Sequence, residues 1–196
     1  MPAILLLAAG ASLRLGRPKQ LLPYRGQTLL RRAAETAVAA AAGAPVVVVT
    51  GALHEELLPE LAGLPVAAVR CAGWERGMGA SLKFGLATLE SLCVTWTEVA
   101  VVLCDQPHVT PALLTELSAT RARTSRPIVA TEYGGVRGVP VLFGADLLPQ
   151  LRALPDAAGA AQLLRQHPEL VAAVPFEGAA IDVDTEAQYA ALLDEA

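Results

Sequence analysis

The sequence is short of charge, of aromatics and of lysine. Only 17% of its 196 residues are charged and 4% aromatic, so Leu, Val and Ala must build the interior. A 54% hydrophobic share excludes the charge-rich, apolar-poor composition of a disordered chain. At this length the chain buries one substantial core, which predicts a single domain over residues 1–196. The three cysteines, Cys71, Cys93 and Cys104, are odd in number, far apart and without a Cys-x-x-Cys pair. That pattern excludes a disulfide framework and a zinc site, and it points to the cytoplasm. His54, His108 and His167 show no metal-ligand spacing. The longest uncharged run, Thr36 to Leu53, is broken by Gly43 and Pro45, so no membrane span is expected. The apolar stretch 3–9 has no basic segment ahead of it, as a secretory signal would.

A net charge of −4 argues against a nucleic-acid partner, which calls for a basic surface. Acid is nevertheless missing from one region altogether. Met1 to Ala34 carries Arg14, Arg17, Lys19, Arg25, Arg31 and Arg32 and no acidic residue, which equips that end for a small anion.

Short apolar runs rich in β-branched residues recur at Ala3–Leu7, Val46–Thr50, Val66–Arg70, Val99–Leu103 and Ile128–Thr131, and more weakly at Val171–Val174 and Ile181–Val183. Longer Ala- and Leu-rich stretches lie at Thr28–Ala42, His54–Leu61, Ala80–Leu92, Pro111–Arg123 and Glu186–Leu193. The first set reads as strands and the second as helices. Strands that are apolar at every position belong to a sheet covered on both faces. The expected fold is therefore α/β, a Rossmann-like three-layer α/β/α sandwich with a mostly parallel sheet. Gly134, Gly135 and Gly138, punctuating two strand-like pieces that end at Pro140 and Phe143, predict a hairpin or a small antiparallel excursion.

Such sheets bind ligands beyond the carboxyl ends of their strands, and the chemistry-bearing residues fall there. After the first strand comes Leu7-Ala8-Ala9-Gly10-Ala11-Ser12-Leu13-Arg14-Leu15-Gly16-Arg17-Pro18-Lys19. Small residues let backbone amides approach a phosphate, while Arg14 and Lys19 add positive charge. Neither GxxxxGK[ST] nor GxGxxG is present, which excludes a P-loop and a dehydrogenase-type dinucleotide fingerprint. After the fourth strand comes Cys104-Asp105-Gln106-Pro107. Asp105 either holds a ligand or caps the next helix or turn, although Thr110 and Pro111 already supply a helix start. Near the end, Ile181-Asp182-Val183-Asp184-Thr185 offers two carboxylates on one face of a strand, or else a cap for the last helix. Asp105 together with Asp184 would satisfy Mg2+, which takes one or two carboxylates plus phosphate and water.

The motif Leu-Ala-Ala-Gly-x-Ser-x-Arg-x-Gly-x-x-Lys, met here at Ala8, Ala9, Gly10, Ser12, Arg14, Gly16 and Lys19, resembles the signature loop of the molybdenum-cofactor nucleotidylyltransferases. Cys-Asp-Gln-Pro resembles that family's metal-binding motif, and Asp-Val-Asp-Thr its closing motif. Gly77-Met78-Gly79-Ala80-Ser81-Leu82 is similar to its pocket-lining segment, and Arg137-Gly138-Val139-Pro140 to its acceptor-facing stretch. The resemblance implies the nucleotide-diphospho-sugar transferase type of this fold. It also implies a nucleotide held by Leu7, Ala8, Ala9, Gly10, Ser12, Arg14, Lys19, Gly79, Ser81 and Asp105. Lys19, Arg14 and Asp105 would act in catalysis, and Asp105, Asp184 and Asp182 would hold Mg2+.

In that family Ala at position 9 accompanies CTP and Gly accompanies GTP. The implied reaction is transfer of CMP from CTP to a phosphate of molybdopterin, in the cytoplasm, with the product passed to a molybdoenzyme or its chaperone. The chain departs from the family around Pro155 to Ala161, where Asp156 falls one place early and Ala161 replaces an Arg. A GTP user, an isoprenoid-precursor cytidylyltransferase and a non-catalytic nucleotide carrier are the alternatives.

Overall fold

The structure, a computed structural model, describes residues 2–92 and 95–195; Cys93 lies outside the described residues. In chain order the elements are β1 (Ala3–Ala8), β2 (Pro23–Tyr24), β3 (Gln27–Thr28), α1 (Leu29–Ala41), β4 (Val46–Thr50), α2 (His54–Leu61), β5 (Ala67–Arg70) and α3 (Met78–Ser91). They continue with β6 (Glu98–Leu103), α4 (Pro111–Thr124), β7 (Ile128–Tyr133), β8 (Val136–Gly144), α5 (Leu148–Ala153), α6 (Ala161–Gln166), β9 (Val171–Pro175) and α7 (Glu186–Asp194). Short 3-10 turns, among them Lys19–Leu21 and Trp74–Arg76, link several of these.

Seven strands form one sheet in the order β5-β4-β1-β6-β8-β7-β9, and β2 pairs with β3 in a small separate ribbon. All pairings in the main sheet are parallel except those that β8 makes with β6 and β7. The expected excursion is therefore a single nine-residue strand inserted into the sheet. Within it, pairing with β7 slips in register between Ala130 and Thr131.

Every residue of β1 and β4 is buried, as the unbroken apolar runs require of strands covered on both faces. Along β1, Ala3, Leu5 and Leu7 pack against Leu82 and Leu86 of α3 together with Leu151 of α5 and Leu163 of α6. Ile4, Leu6 and Ala8 meet α1, α2 and α4 on the other face. These are the three layers expected. Among the described residues no helix is long and apolar enough to cross a membrane.

Helix starts follow local chemistry. The Thr28 hydroxyl accepts from Arg31 N at 3.1 Å, and that of Thr110 from Leu113 N at 3.2 Å. Thr185 does the same for α7, accepting from Gln188 N at 3.3 Å. With Thr110 and Thr185 as the caps, neither Asp105 nor Asp184 is spent on a helix end. One expected strand is absent: Ile181–Val183 runs as a loop, joined to the end of β6 by Val183 N donating to Asp105 O at 3.1 Å. A single backbone bond of this kind does not make a ladder, although Val183 itself is buried and its neighbours half-buried.

Helix α7 does not join either face of the sheet. Its Tyr189 and Leu192, with Val183, cover Leu15, Leu22, Tyr24 and Leu29 in a third apolar cluster. The chain's last helix thus roofs the segment after the β1 loop.

Candidate functional site

The chain turns back beside β1. It leaves to β4 and β5 on one side and returns to β6 on the other, opening a crevice at the carboxyl ends of β1 and β6. Three segments close on that crevice.

The first is the loop after β1. Ser12 adopts the left-handed region at φ 55° and Gly16 at φ 76°, and the Ser12 carbonyl accepts from the amides of Leu15 and Gly16, each at 3.1 Å. The Ser12 hydroxyl accepts from Lys19 N at 3.0 Å and donates to Gln20 Oε1 at 3.3 Å. Gln20, 1% exposed, donates through Nε2 to the carbonyls of Ala8 at 3.0 Å and Gly10 at 2.7 Å. One buried amide side chain therefore ties down both ends of the small-residue turn, and Ser12 serves the turn's shape from behind. From the end of β4, Gly51 supports the same turn. A Cβ there would lie 2.3 Å from Ala9 O and 2.8 Å from Trp74 Cγ.

The second segment is the end of β6, and the third is the loop before α7. Asp105 is 6% exposed, and its Oδ2 lies 2.5 Å from Lys19 Nζ, which is also 2.8 Å from Asp184 Oδ1. Arg14, largely exposed, pairs with the other Asp184 oxygen. Burial works against the Lys19 charge, but Asp105 and Asp184 outweigh it and raise the ammonium's pKa. Burial likewise pushes the Asp184 carboxyl upward, and the contacts with Lys19 and Arg14 prevail, holding it below its ordinary value. Asp105 Oδ1 is buried and has no hydrogen-bond partner among the described residues, although buried oxygens of this kind are nearly always satisfied.

Asp182 stands apart from this pair. Its Oδ1 accepts from Gln188 Nε2 at 2.9 Å. Its carboxyl is pushed up by burial and then by the charges of Asp184 and Asp105, which outweigh the opposing pull of Lys19. Among the described residues no three His, Cys, Asp or Glu side chains group to hold a metal by themselves.

Between the segments lies a cleft of about 340 Å³. Leu7, Ala8, Ala9, Gly10, Lys19 and Gln20 form one wall, Leu103, Cys104 and Asp105 the floor, and Trp74, Glu75, Gly77, Met78 and Ser81 the facing wall. Of the residues singled out from sequence, Leu7, Ala8, Ala9, Gly10, Lys19, Ser81 and Asp105 share this cleft. Arg14 and Asp184 meet at its Lys19 end. Gly79 turns away, and a Cβ on it would fall 2.3 Å from Pro155 O. Sequence reasoning missed Gln20, Trp74 and Glu75. Gln20 follows the motif's lysine directly, while the other two lay in the lead-in to α3, where spacing does not tell which side chains face a cavity. Cys104 on the floor is inert, its thiol pushed up to about 12 by burial and then by the Asp105 charge.

A crevice at a parallel sheet's carboxyl edge, walled by a small-residue turn and ending in a lysine between two aspartates, defines a domain of the nucleotidyltransferase class. The chain belongs to the MobA-like NTP transferase family, whose model matches residues 4–171.

Nicotine blue oxidoreductase of Paenarthrobacter nicotinovorans is 36% identical, over 96% of this chain and 94% of that protein. The purine catabolism protein PucB of Bacillus subtilis is 28% identical, over 93% and 91%. Rv0371c of Mycobacterium tuberculosis superposes with a TM-score of 0.80 at 31% identity, covering 99% of this chain and 98% of its own; a manganese complex of Rv0371c is also known. A nucleotidyl transferase from Methanothermobacter shares the fold at a TM-score of 0.80 and 21% identity, over 100% and 97% of the two chains.

Proposed function

We propose that the protein transfers CMP from CTP to a phosphate of molybdopterin in the cytoplasm, using Mg2+ and releasing pyrophosphate. The observation that carries this reading is the bridge that Lys19 makes between Asp105 and Asp184 at the end of the cleft. Two carboxylates compensated by an ammonium held between them are what a triphosphate site needs before its cation and its anion arrive together.

The residues fit a divalent ion. Asp105 offers a buried oxygen without a partner among the described residues, Asp184 lies across Lys19 from it, and oxygen-only ligation of this kind suits Mg2+ or Mn2+. Asp105 and Asp184 would hold the ion, which when bound offsets charge building on the α-phosphoryl oxygens and on the leaving pyrophosphate. The chain's own residues do the positioning. The amides of the Ala8–Ser12 turn approach the phosphates, and Lys19 and Arg14, already placed by the carboxylates, stand ready for the phosphate oxygens. A phosphate oxygen of the acceptor attacks the α-phosphorus, forming one P–O bond as the bond to the β-phosphate breaks. That nucleophile is already ionised, so no histidine base is required.

The choice of CTP rests on the motif resemblance, in which Ala at position 9 accompanies CTP and Gly accompanies GTP; Ala9 lines the cleft. The choice of molybdopterin rests on the motif resemblance, and delivery of the product to a molybdoenzyme or its chaperone follows from that acceptor. The test is pyrophosphate release with each of the four nucleotides, with and without molybdopterin. Release only with CTP and molybdopterin is expected. Release with GTP would transfer the reading to a guanylyltransferase, release independent of molybdopterin would replace the acceptor, and no release at all would leave a nucleotide carrier. Ala9→Gly is expected to lower the CTP to GTP preference severalfold, and an unchanged ratio removes the reason for choosing cytidine.

A further inference from the structure

The first turn of α3 forms part of the cleft wall, yet it lacks the usual means of being held in place. Gly77, Met78 and Ser81 line the cleft, and Gly77, which precedes the helix, provides no capping side chain. The large side chains that α3 gives to the core beneath the sheet are Leu82, Leu86 and Leu89, one turn further in.

The turn is braced instead by the loop between α5 and α6. A Cβ on Gly77 would come within 2.6 Å of Asp156 O, and one on Gly79 within 2.3 Å of Pro155 O and 2.6 Å of Ala158 O. The Ala80 amide donates to Asp156 O at 3.2 Å. Backbone laid on backbone this closely requires both glycines, and it also requires a loop that stays where it is. Leu154 and Ala160 anchor the two ends of the loop in the core, while its middle stands outside.

Charge holds that middle. Asp156 pairs with Lys83 through Oδ1, and its Oδ2 lies 3.2 Å from Arg76 Nε. Lys83 Nζ also donates to Leu154 O at 3.0 Å. Arg76 comes from the 3-10 turn before α3 and Lys83 from its second turn, so the two cations bracket the stretch that faces the cleft. The Lys83 contact lowers the Asp156 pKa despite an opposing effect of burial, and the Arg76 charge adds to the lowering.

We propose that Asp156, Lys83 and Arg76 form a clasp that positions the Gly77–Ser81 wall and so sets the affinity for nucleotide. Asp156 is a positioning residue, acting on the wall from outside the cleft. The inference rests on the reading of the cleft as a nucleotide site, and two measurements keep the two separable. In the free protein, amide exchange of segment 77–81 is expected to quicken about tenfold in Asp156→Ala and in Lys83→Ala, with the rest of α3 unchanged.

Titration with CTP and Mg2+, followed by the fluorescence of Trp74 in the cleft wall, is expected to show a dissociation constant about threefold to tenfold higher in each variant. The double variant should be weaker by less than the sum of the two single losses, because both remove the Asp156–Lys83 pair, and Lys83→Arg should behave as the original. kcat at saturating nucleotide should stay within about twofold. Unchanged exchange at 77–81, additive losses in the double variant, or exchange raised evenly along α3 would each overturn the clasp. Failure of the unaltered protein to bind CTP would instead count against the nucleotide reading, with the exchange result still deciding the clasp.

Discussion

At the scale of single residues, Lys19 is the pivot of the site. It is held by its backbone to Ser12 and by its ammonium to two carboxylates, so its place is set before any ligand arrives. Preorganised charge of this kind typically contributes about 10²- to 10³-fold to turnover, and Lys19→Ala is expected to lower kcat by that factor with CTP saturating. Full activity in a pyrophosphate assay would take Lys19 out of the site.

The same contacts set a pH dependence. Asp184 has a lowered pKa in the folded state, so its contribution to stability is present above the ordinary carboxylate value of about 3.9 and is lost as pH falls through the folded value. Removing the cation by Lys19→Met should flatten the fall in urea midpoint over that acid window; parallel curves would show that the pair contributes nothing. Asp182 has the opposite sign, since a raised carboxyl pKa means that its charge at neutral pH opposes folding. Asp182→Asn is therefore expected to raise the thermal midpoint of the metal-free protein at pH 7, and a lower midpoint would contradict the like-charge crowding.

Among elements, the decisive contact is between the β1 loop and the end of β4. Gly51 is there because the Ala9 carbonyl and the Trp74 ring occupy the space that any side chain would need. Gly51→Ala must push the turn or the ring aside, at a cost of about 1–3 kcal/mol for overpacking. Because what moves is the cleft wall, nucleotide affinity should fall along with stability, and equilibrium unfolding with a CTP titration would show both. Loss of neither would mean that the turn is slack.

Across the whole molecule, the two ends of the chain are joined over the site. Glu186 accepts Arg17 through both oxygens at 2.7 and 2.8 Å, the Arg17 guanidinium lies over the Tyr189 ring, and Tyr189 Oη donates to Pro23 O at 2.7 Å. This tie brings the loop carrying Asp184 against the loop carrying Lys19, although 165 positions separate them. Tyr189→Phe removes one hydrogen bond and is expected to cost about 1 kcal/mol. By loosening α7 it should also slow turnover more than it weakens the sheet, which paired unfolding and rate measurements would reveal. An effect on stability alone would confine α7 to a covering role.

By itself the sequence determined the layers, the strands of the parallel sheet, the turn after β1 and the identity of Lys19, Arg14, Asp105 and Asp184. Apolar runs, capping threonines and short motifs are local patterns, and each acts within a few residues of where it is written. Only the tertiary structure decided that Ile181–Val183 is a loop, that Gln20 is buried beneath the turn, and that Gly79 serves the Pro155–Ala158 loop. It alone set Trp74 in the cleft and placed Asp184, but not Asp182, on the Lys19 ammonium. Such choices depend on which distant segments share a surface. That is fixed by how strands order around β1 and by what α7 covers, which no window of neighbouring residues contains.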